Sequence, residues 1–218
     1  MKIACVGYRS WAIKIYLRLE EVFDQYEFLM QLEENEFSEI EIQKFCPDFI
    51  LFYGWSKIIP SSIVETFSCL MLHPSELPKF RGGSPIQNQI IQGEINSAVS
   101  IFIMDNGIDT GPIARQGYLS LDGSLDEIFS RIESLGFKLT QDIFENGLKE
   151  FQQNDVDATY FKRRSVEQSE ITITELETRS AKYLHNKIRM LQDPYPNPFI
   201  RTVDGKKLII KCCEVSDD

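Results

Sequence analysis

Apolar positions along the chain alternate between two rhythms. Lys2 to Gly7 is a short apolar run closed by glycine, and Trp11, Ile15 and Leu19 then recur at helical spacing, so the chain opens as strand, turn and helix. Tyr26 to Leu32 predicts a second strand, and Phe37 to Phe45 predicts a short helix behind an acidic stretch. Phe49 to Tyr53, introduced by Cys46-Pro47-Asp48, predicts a third, buried strand. Ile58 to Phe67 gives a helical turn or two, Cys69 to Leu72 a fourth strand, and Ser84 to Gln92 a helix with Pro85 in its first turn. Val99 to Met104 and Ile113 to Leu119 predict strands on either side of the glycine-rich Asp105 to Gly111. Ser124-Leu125-Asp126-Glu127 then opens a long amphipathic helix reaching about Phe151. Repeated strand-helix units imply an α/β fold with a mostly parallel sheet covered on both faces.

The rhythm changes after Gln152-Gln153-Asn154, which divides the chain into a main domain, 1–154, and a small carboxyl-terminal subdomain, 155–218. The second part reads as Tyr160 to Arg164, a Thr- and Glu-rich bridge, and one helix from about Thr174 to Leu191. The turn-rich Asp193-Pro194-Tyr195-Pro196-Asn197-Pro198 follows, and then a hairpin of Phe199 to Val203 and Lys207 to Cys213 around Asp204-Gly205. A helix and a hairpin are too small to fold alone, so this part is expected to pack on the main domain or on a second subunit.

Composition narrows the function. At 43% hydrophobic over 218 residues the chain can fill an apolar core without metal or disulfide staples. No apolar run is long enough to span a membrane, and MKIACVGYRS lacks the apolar stretch of a secretory signal, so a cytoplasmic location with no membrane partner is expected. Lys and Arg number 23 against 33 Asp and Glu, a formal charge of −10, which repels polyanions and disfavours nucleic acid as the main ligand. Cys5, Cys46, Cys69, Cys212 and Cys213 show no C-x-x-C spacing and mostly sit in apolar runs, so they read as reduced core thiols, with no metal site.

In an open α/β sheet the loops after the strands carry the ligand site. The loop after the first strand, Gly7-Tyr8-Arg9-Ser10, has one glycine where a dinucleotide fingerprint needs three, and no Walker-type lysine loop exists. Two later loops are richer. The fourth strand leads into His73-Pro74-Ser75-Glu76-Leu77-Pro78-Lys79-Phe80-Arg81-Gly82-Gly83-Ser84-Pro85-Ile86-Gln87, which carries one of the two histidines. The fifth leads into Asp105-Asn106-Gly107-Ile108-Asp109-Thr110-Gly111. A carboxylate beside a histidine orients the ring and raises its basicity, and such a pair can take a proton from an attacking amine.

At these residues the chain resembles the N10-formyltetrahydrofolate-dependent formyltransferases. The resemblance rests on His73-Pro74-Ser75-x-Leu77-Pro78-x-x-Arg81-Gly82 with Pro85-Ile86-Gln87, followed by Asp105-x-Gly107-x-Asp109-Thr110-Gly111, and it extends over essentially the whole chain. It implies a Rossmann-like fold with N10-formyltetrahydrofolate as formyl donor, and a reaction in which an amine attacks the formyl carbon to give a tetrahedral oxyanion. By the same resemblance His73 stabilises the oxyanion and helps move the amine's proton, which Asp109 accepts. The folate side is implied at Tyr53, Gly54, Trp55 and Ile59, in Tyr53-Gly54-Trp55-Ser56-Lys57-Ile58-Ile59-Pro60, and at Met104, Asp105, Gly107 and Ile108. Met104 by its pattern alone reads as strand core.

Phe161-Lys162-Arg163-Arg164, His185-Asn186-x-Ile188-Arg189 and Asp193-Pro194-Tyr195-Pro196 resemble the branch that formylates amines on nucleotide-linked sugars. This implies a 4-amino group of a UDP- or dTDP-linked deoxysugar as acceptor, for surface glycans such as lipopolysaccharide or pseudaminic-acid-type precursors. Ser75, Lys79, Arg81, Gly82, Gly83, Arg163 and Tyr195 are the candidate acceptor contacts, the cations for a pyrophosphate. The family has an asparagine two residues before the histidine, whose amide donates to the oxyanion; here Met71 stands there. A thioether cannot donate, and losing one such donor costs about 2.7 to 4 kcal/mol. Gln87 and Asn88 are the candidate replacements. Methionyl-tRNA formyltransferase is the rival enzyme, disfavoured by the acidic charge and by a chain that stops one hairpin after Pro196. A formylfolate-binding protein without chemistry is the rival that Met71 raises. Sheet-edge logic at the hairpin makes a homodimer reasonable.

Overall fold

The computed structural model describes residues 1–216. The predicted strand-helix alternation is present as β1 (Lys2–Val6), α1 (Ser10–Val22), β2 (Glu27–Gln31), α2 (Glu39–Phe45), β3 (Phe49–Phe52), α3 (Ser61–Thr66) and β4 (Cys69–His73). After a two-residue strand β5 (Arg81–Gly82) come α4 (Pro85–Ile91), β6 (Asn96–Ile103), β7 (Ile113–Ser120) and α5 (Leu125–Asn146). The six long strands form one sheet in the order β2-β1-β3-β4-β6-β7. The four strands from β2 to β4 are mutually parallel, while β6 and β7 add antiparallel at one edge.

Period-two alternation feeds the two faces of this sheet. Ile3, Cys5, Leu51, Leu70 and Leu72 point to the layer of α1 and α5, and Ala4, Val6, Ile50, Phe52 and Cys69 point to the layer of α2 and α3. Gly136 lets α5 approach closely: a Cβ there would lie 2.6 Å from Leu72 Cδ1 and 2.8 Å from Ile15 Cδ1. Gly7 serves packing too, because a Cβ there would fall 1.8 Å from the Tyr53 carbonyl oxygen. The capping box of Ser124 and Glu127 starts α5 as expected. The helix ends at Asn146, short of the expected Phe151, because Gly147 turns at φ 78° and Phe151 instead exchanges backbone hydrogen bonds with Ile113.

The carboxyl-terminal part contains β8 (Tyr160–Phe161), α6 (Ile173–Thr178), α7 (Ala181–Arg189) and the hairpin β9 (Phe199–Arg201) and β10 (Lys207–Ile209). The single helix expected from Thr174 to Leu191 is therefore two. Ser180 accepts from the Tyr183 N–H and starts α7 afresh, a local side-chain bond that competes with helix continuation. This part is built into the rest: β8 pairs with β5, and the buried Lys187 of α7 ties Glu170 and Glu175 together. The segment read as 155–218 runs two residues beyond those described. Of the cysteines only Cys5 and Cys69 are buried; Cys46 and Cys212 are exposed and Cys213 is half-buried, which corrects the reading of core thiols throughout. Among the described residues no helix is long and apolar enough to cross a membrane.

Candidate active site

A cleft of about 1260 Å³ opens beyond the carboxyl ends of β1, β3 and β4. His73 is the last residue of β4 and is 5% exposed. Its Nε2 lies 2.8 Å from the Phe80 carbonyl oxygen and its Nδ1 lies 3.4 Å from Asp109 Oδ2. The carbonyl can only accept, so the nitrogen facing it carries a proton. The other nitrogen then faces the carboxylate.

Asp109 is 8% exposed and is held in the left-handed region at φ 55°, an unfavourable conformation for a non-glycine residue that its contacts maintain. Its Oδ2 accepts a 2.7 Å hydrogen bond from the Gly82 N–H, so the glycines after β4 and the loop after β6 meet at this carboxylate. Gln153 Nε2 donates to the carbonyls of Asp109 and Gly111 at 2.9 and 2.7 Å, which fixes the loop from behind. Nothing in the sequence singles out Gln153, because Gln152-Gln153-Asn154 has the composition of a linker.

One wall of the cleft is apolar, built from Trp55, Ile59, Val64, Phe102, Met104 and Ile108. Gly54, Asp105 and Gly107 also line it. Asp105 Oδ1 accepts from the Gly107 N–H and the Thr110 hydroxyl, so its side chain shapes the loop. Tyr53 does not reach the cleft: it is fully buried, with its hydroxyl 2.9 Å from Thr140 Oγ1. Trp55 Nε1 is buried and has no hydrogen-bond partner of ordinary geometry among the described residues, nor has Gln87 Nε2. Buried donors without partners are rare, and both residues line the cleft.

The candidate acceptor contacts separate. Gly82, Gly83, Arg163 and Tyr195 line the cleft. Ser75, Lys79 and Arg81 do not, for three different reasons. The Ser75 hydroxyl is fully buried and donates to the Lys79 carbonyl. Lys79 is exposed and pairs with Glu76 at 3.5 Å. Arg81 is fully buried, with its guanidinium donating to Gln153 Oε1, the Tyr160 hydroxyl and Asp155 Oδ1. It thus holds the Gln153 that holds the Asp109 loop. Gln87 lines the cleft near Tyr195, whereas the Asn88 amide donates to the Gly83 carbonyl at 2.8 Å. Met71 lines the cleft two residues before His73, and so on the same face of β4. His185 is not among the residues lining the cleft, and Phe199 is buried at the base of the hairpin.

Arg81→Met is expected to lower the melting temperature by about 4–8 °C, because charge-assisted bonds of about 2 kcal/mol vanish and Gln153 loses its anchor. Thermal unfolding measures this. An unchanged melting temperature with weakened acceptor binding would return Arg81 to the ligand site.

Residues 19–137 match the formyl transferase family. A methionyl-tRNA formyltransferase from a Nitratiruptor species is 33% identical over 154 residues, covering 68% of this chain and 49% of that protein. The chain spans about half the length of the curated relatives it matches. The solved methionyl-tRNA formyltransferase from Clostridium thermocellum superposes with a TM-score of 0.86 at 31% identity, over 96% of this chain and 97% of that one. A sugar N-formyltransferase from a Shewanella species superposes with a TM-score of 0.78 over 100% and 99% of the two chains, at 15% identity, a likeness of fold alone.

Proposed function

The chain belongs to the formyl transferase family, and we propose that it transfers a formyl group from N10-formyltetrahydrofolate to the 4-amino group of a nucleotide-linked amino sugar. The observation that carries formyl transfer is the His73–Asp109 pair, 3.4 Å apart and buried at the inner end of a cleft. When bound, the folate supplies the formyl carbon. The apolar wall of Trp55, Ile59, Met104 and Ile108 suits a flat heteroaromatic ring, and the unpartnered Trp55 N–H supplies a donor beside it.

Asp109 and His73 take the proton that an amine must lose as it bonds to carbon. A carboxylate held in place by the Gly82 N–H and an imidazole held in place by the Phe80 carbonyl need little rearrangement to do so. The Gln87 amide donates to the oxygen on which negative charge gathers, in the role that Met71 cannot fill. Asn88, bonded to Gly83, keeps the glycine loop in shape.

The sugar acceptor is supported by a chain of formal charge −10 and by cations on the cleft, Arg163 among them, suited to the phosphates of a small ligand. A second acceptor, methionyl-tRNA, is favoured by the names of the relatives at 31% and 33% identity. Turnover with formyl folate and a panel of UDP- and dTDP-linked amino sugars is expected to give formylated sugar. A salt series of tRNA gel shifts is expected to show no complex at physiological ionic strength. A salt-sensitive tRNA complex that is formylated on its methionyl amine would replace the sugar reading with the second one.

A further inference from the structure

The loop after β1 has no part in the chemistry described so far, yet it places an unpaired cation on the cleft. Arg9 is half-buried, just before α1, and among the described residues no carboxylate, carbonyl or hydroxyl accepts from its guanidinium. It is flanked instead by two aromatic rings, Tyr8 at 5.1 Å and Tyr195 at 6.0 Å. A half-buried arginine with its N–H donors free has a phosphate as a natural complement.

Arg9 also lines a second cavity of about 450 Å³ that shares Trp11, Phe129, Pro194 and Tyr195 with the main cleft. Phe129 stacks against Trp11, with ring centroids 6.5 Å apart and planes at 9°, and against Tyr195, at 6.2 Å and 13°. The cavity therefore has a flat aromatic wall. Of its two acidic side chains, Glu133 is paired with Lys14 at 3.2 Å and Asp126 is not, so phosphates fit at its cationic entrance better than within it. Arg163 is exposed, also lines the cleft and has no acidic partner among the described residues. Burial pushes the Tyr195 phenol up, while Arg9, the Gln87 amide and Arg163 pull it the other way.

We propose that Arg9 and Arg163 clamp the diphosphate of the acceptor where the two cavities meet, with its base against Phe129 and Tyr195 in the smaller one. This deepens the acceptor reading above and rests on it. A clamp of this kind fixes the amine's distance from His73 without touching the reacting atoms.

The test is calorimetric titration of the full chain, without formyl donor, using UDP, dTDP and inorganic pyrophosphate. Arg9→Gln and Arg163→Gln are each expected to raise the Kd for all three about 10- to 100-fold. Arg9→Lys should lie between, and the exposed Lys138→Gln should match the unaltered protein. Phe129→Ala should weaken UDP and dTDP while sparing pyrophosphate. Unchanged tetrahydrofolate binding certifies that each variant is folded. Failure of the unaltered protein to bind any of the three, or wild-type affinity in both glutamine variants, overturns the clamp. Tight arginine-dependent binding of UDP with no formylation of any amino sugar keeps the clamp and removes the acceptor reading instead.

Discussion

His73→Ala and Asp109→Asn are each expected to slow turnover by at least about 10²-fold, because the first removes the imidazole that helps move the attacking amine's proton and the second removes the carboxylate that accepts it. The affinity for tetrahydrofolate should change little, since the apolar wall is built from other residues. Asp109→Asn is the sharper of the two. An amide oxygen still accepts from the Gly82 N–H, so the loop keeps its shape while the carboxylate's basicity is gone. Single-turnover rates with saturating donor report the loss directly. Near-normal turnover in either variant would remove that residue from proton transfer. Because the two groups are proposed to act on one proton, the double variant is expected to lose about as much as either single one, as grouped catalytic residues do.

Gln87→Ala is expected to cost about 10²- to 10³-fold in kcat, corresponding to about 2.7 to 4 kcal/mol for one oxyanion donor. The side chain is 4% exposed, lines the cleft and has a buried Nε2 with no partner of ordinary geometry, so its removal breaks at most a loose contact with the Tyr195 phenol. Stability should therefore hold or rise slightly, which separates a chemical role from a structural one. Met71→Asn supplies an amide on the His73 face of β4, and in the Gln87→Ala background it is expected to restore a measurable part of the rate. Unaltered turnover in Gln87→Ala discards Gln87 as the donor. A gain from Met71→Asn in the otherwise unaltered protein, with Gln87→Ala silent, would mean that the donor is simply missing.

The sheet and its two helical layers are legible in the sequence because burial on both faces leaves apolar runs such as Phe49–Phe52, and burial on one face leaves a helical stripe such as that of α5. The break between α6 and α7 is harder to see, since Ser180 reads equally as a tolerated helix residue and as a cap until its partner Tyr183 N–H is known. At the site, spacing tells which loops meet, and His73 and Asp109 stand on those loops. It does not tell which way long side chains turn. Arg81 has the look of a phosphate ligand because it follows the histidine loop, yet β5 pairs with β8 and directs its guanidinium inward to Gln153 and Asp155. Lys79, two residues earlier, turns out to solvent. Tyr53 opens the loop expected to face folate but remains a core residue, bonded to Thr140 of α5. Nothing in the sequence marks Arg9, because its loop lacks a nucleotide-binding glycine pattern and a cation without a partner is a property of three dimensions.

In the proposed reaction a formyl carbon passes from folate to an amine, with Asp109 as the proton's destination. The direct measurement is to incubate the protein with carbon-13-labelled N10-formyltetrahydrofolate and a UDP- or dTDP-linked 4-amino sugar, and to follow the label by mass spectrometry. Labelled amide is expected on the sugar with the unaltered protein, and a yield at least about 10²-fold lower at equal times with Asp109→Asn. Label that stays on a tightly bound folate, whatever sugar or tRNA amine is offered, would rule out formyl transfer and leave a folate binder without chemistry.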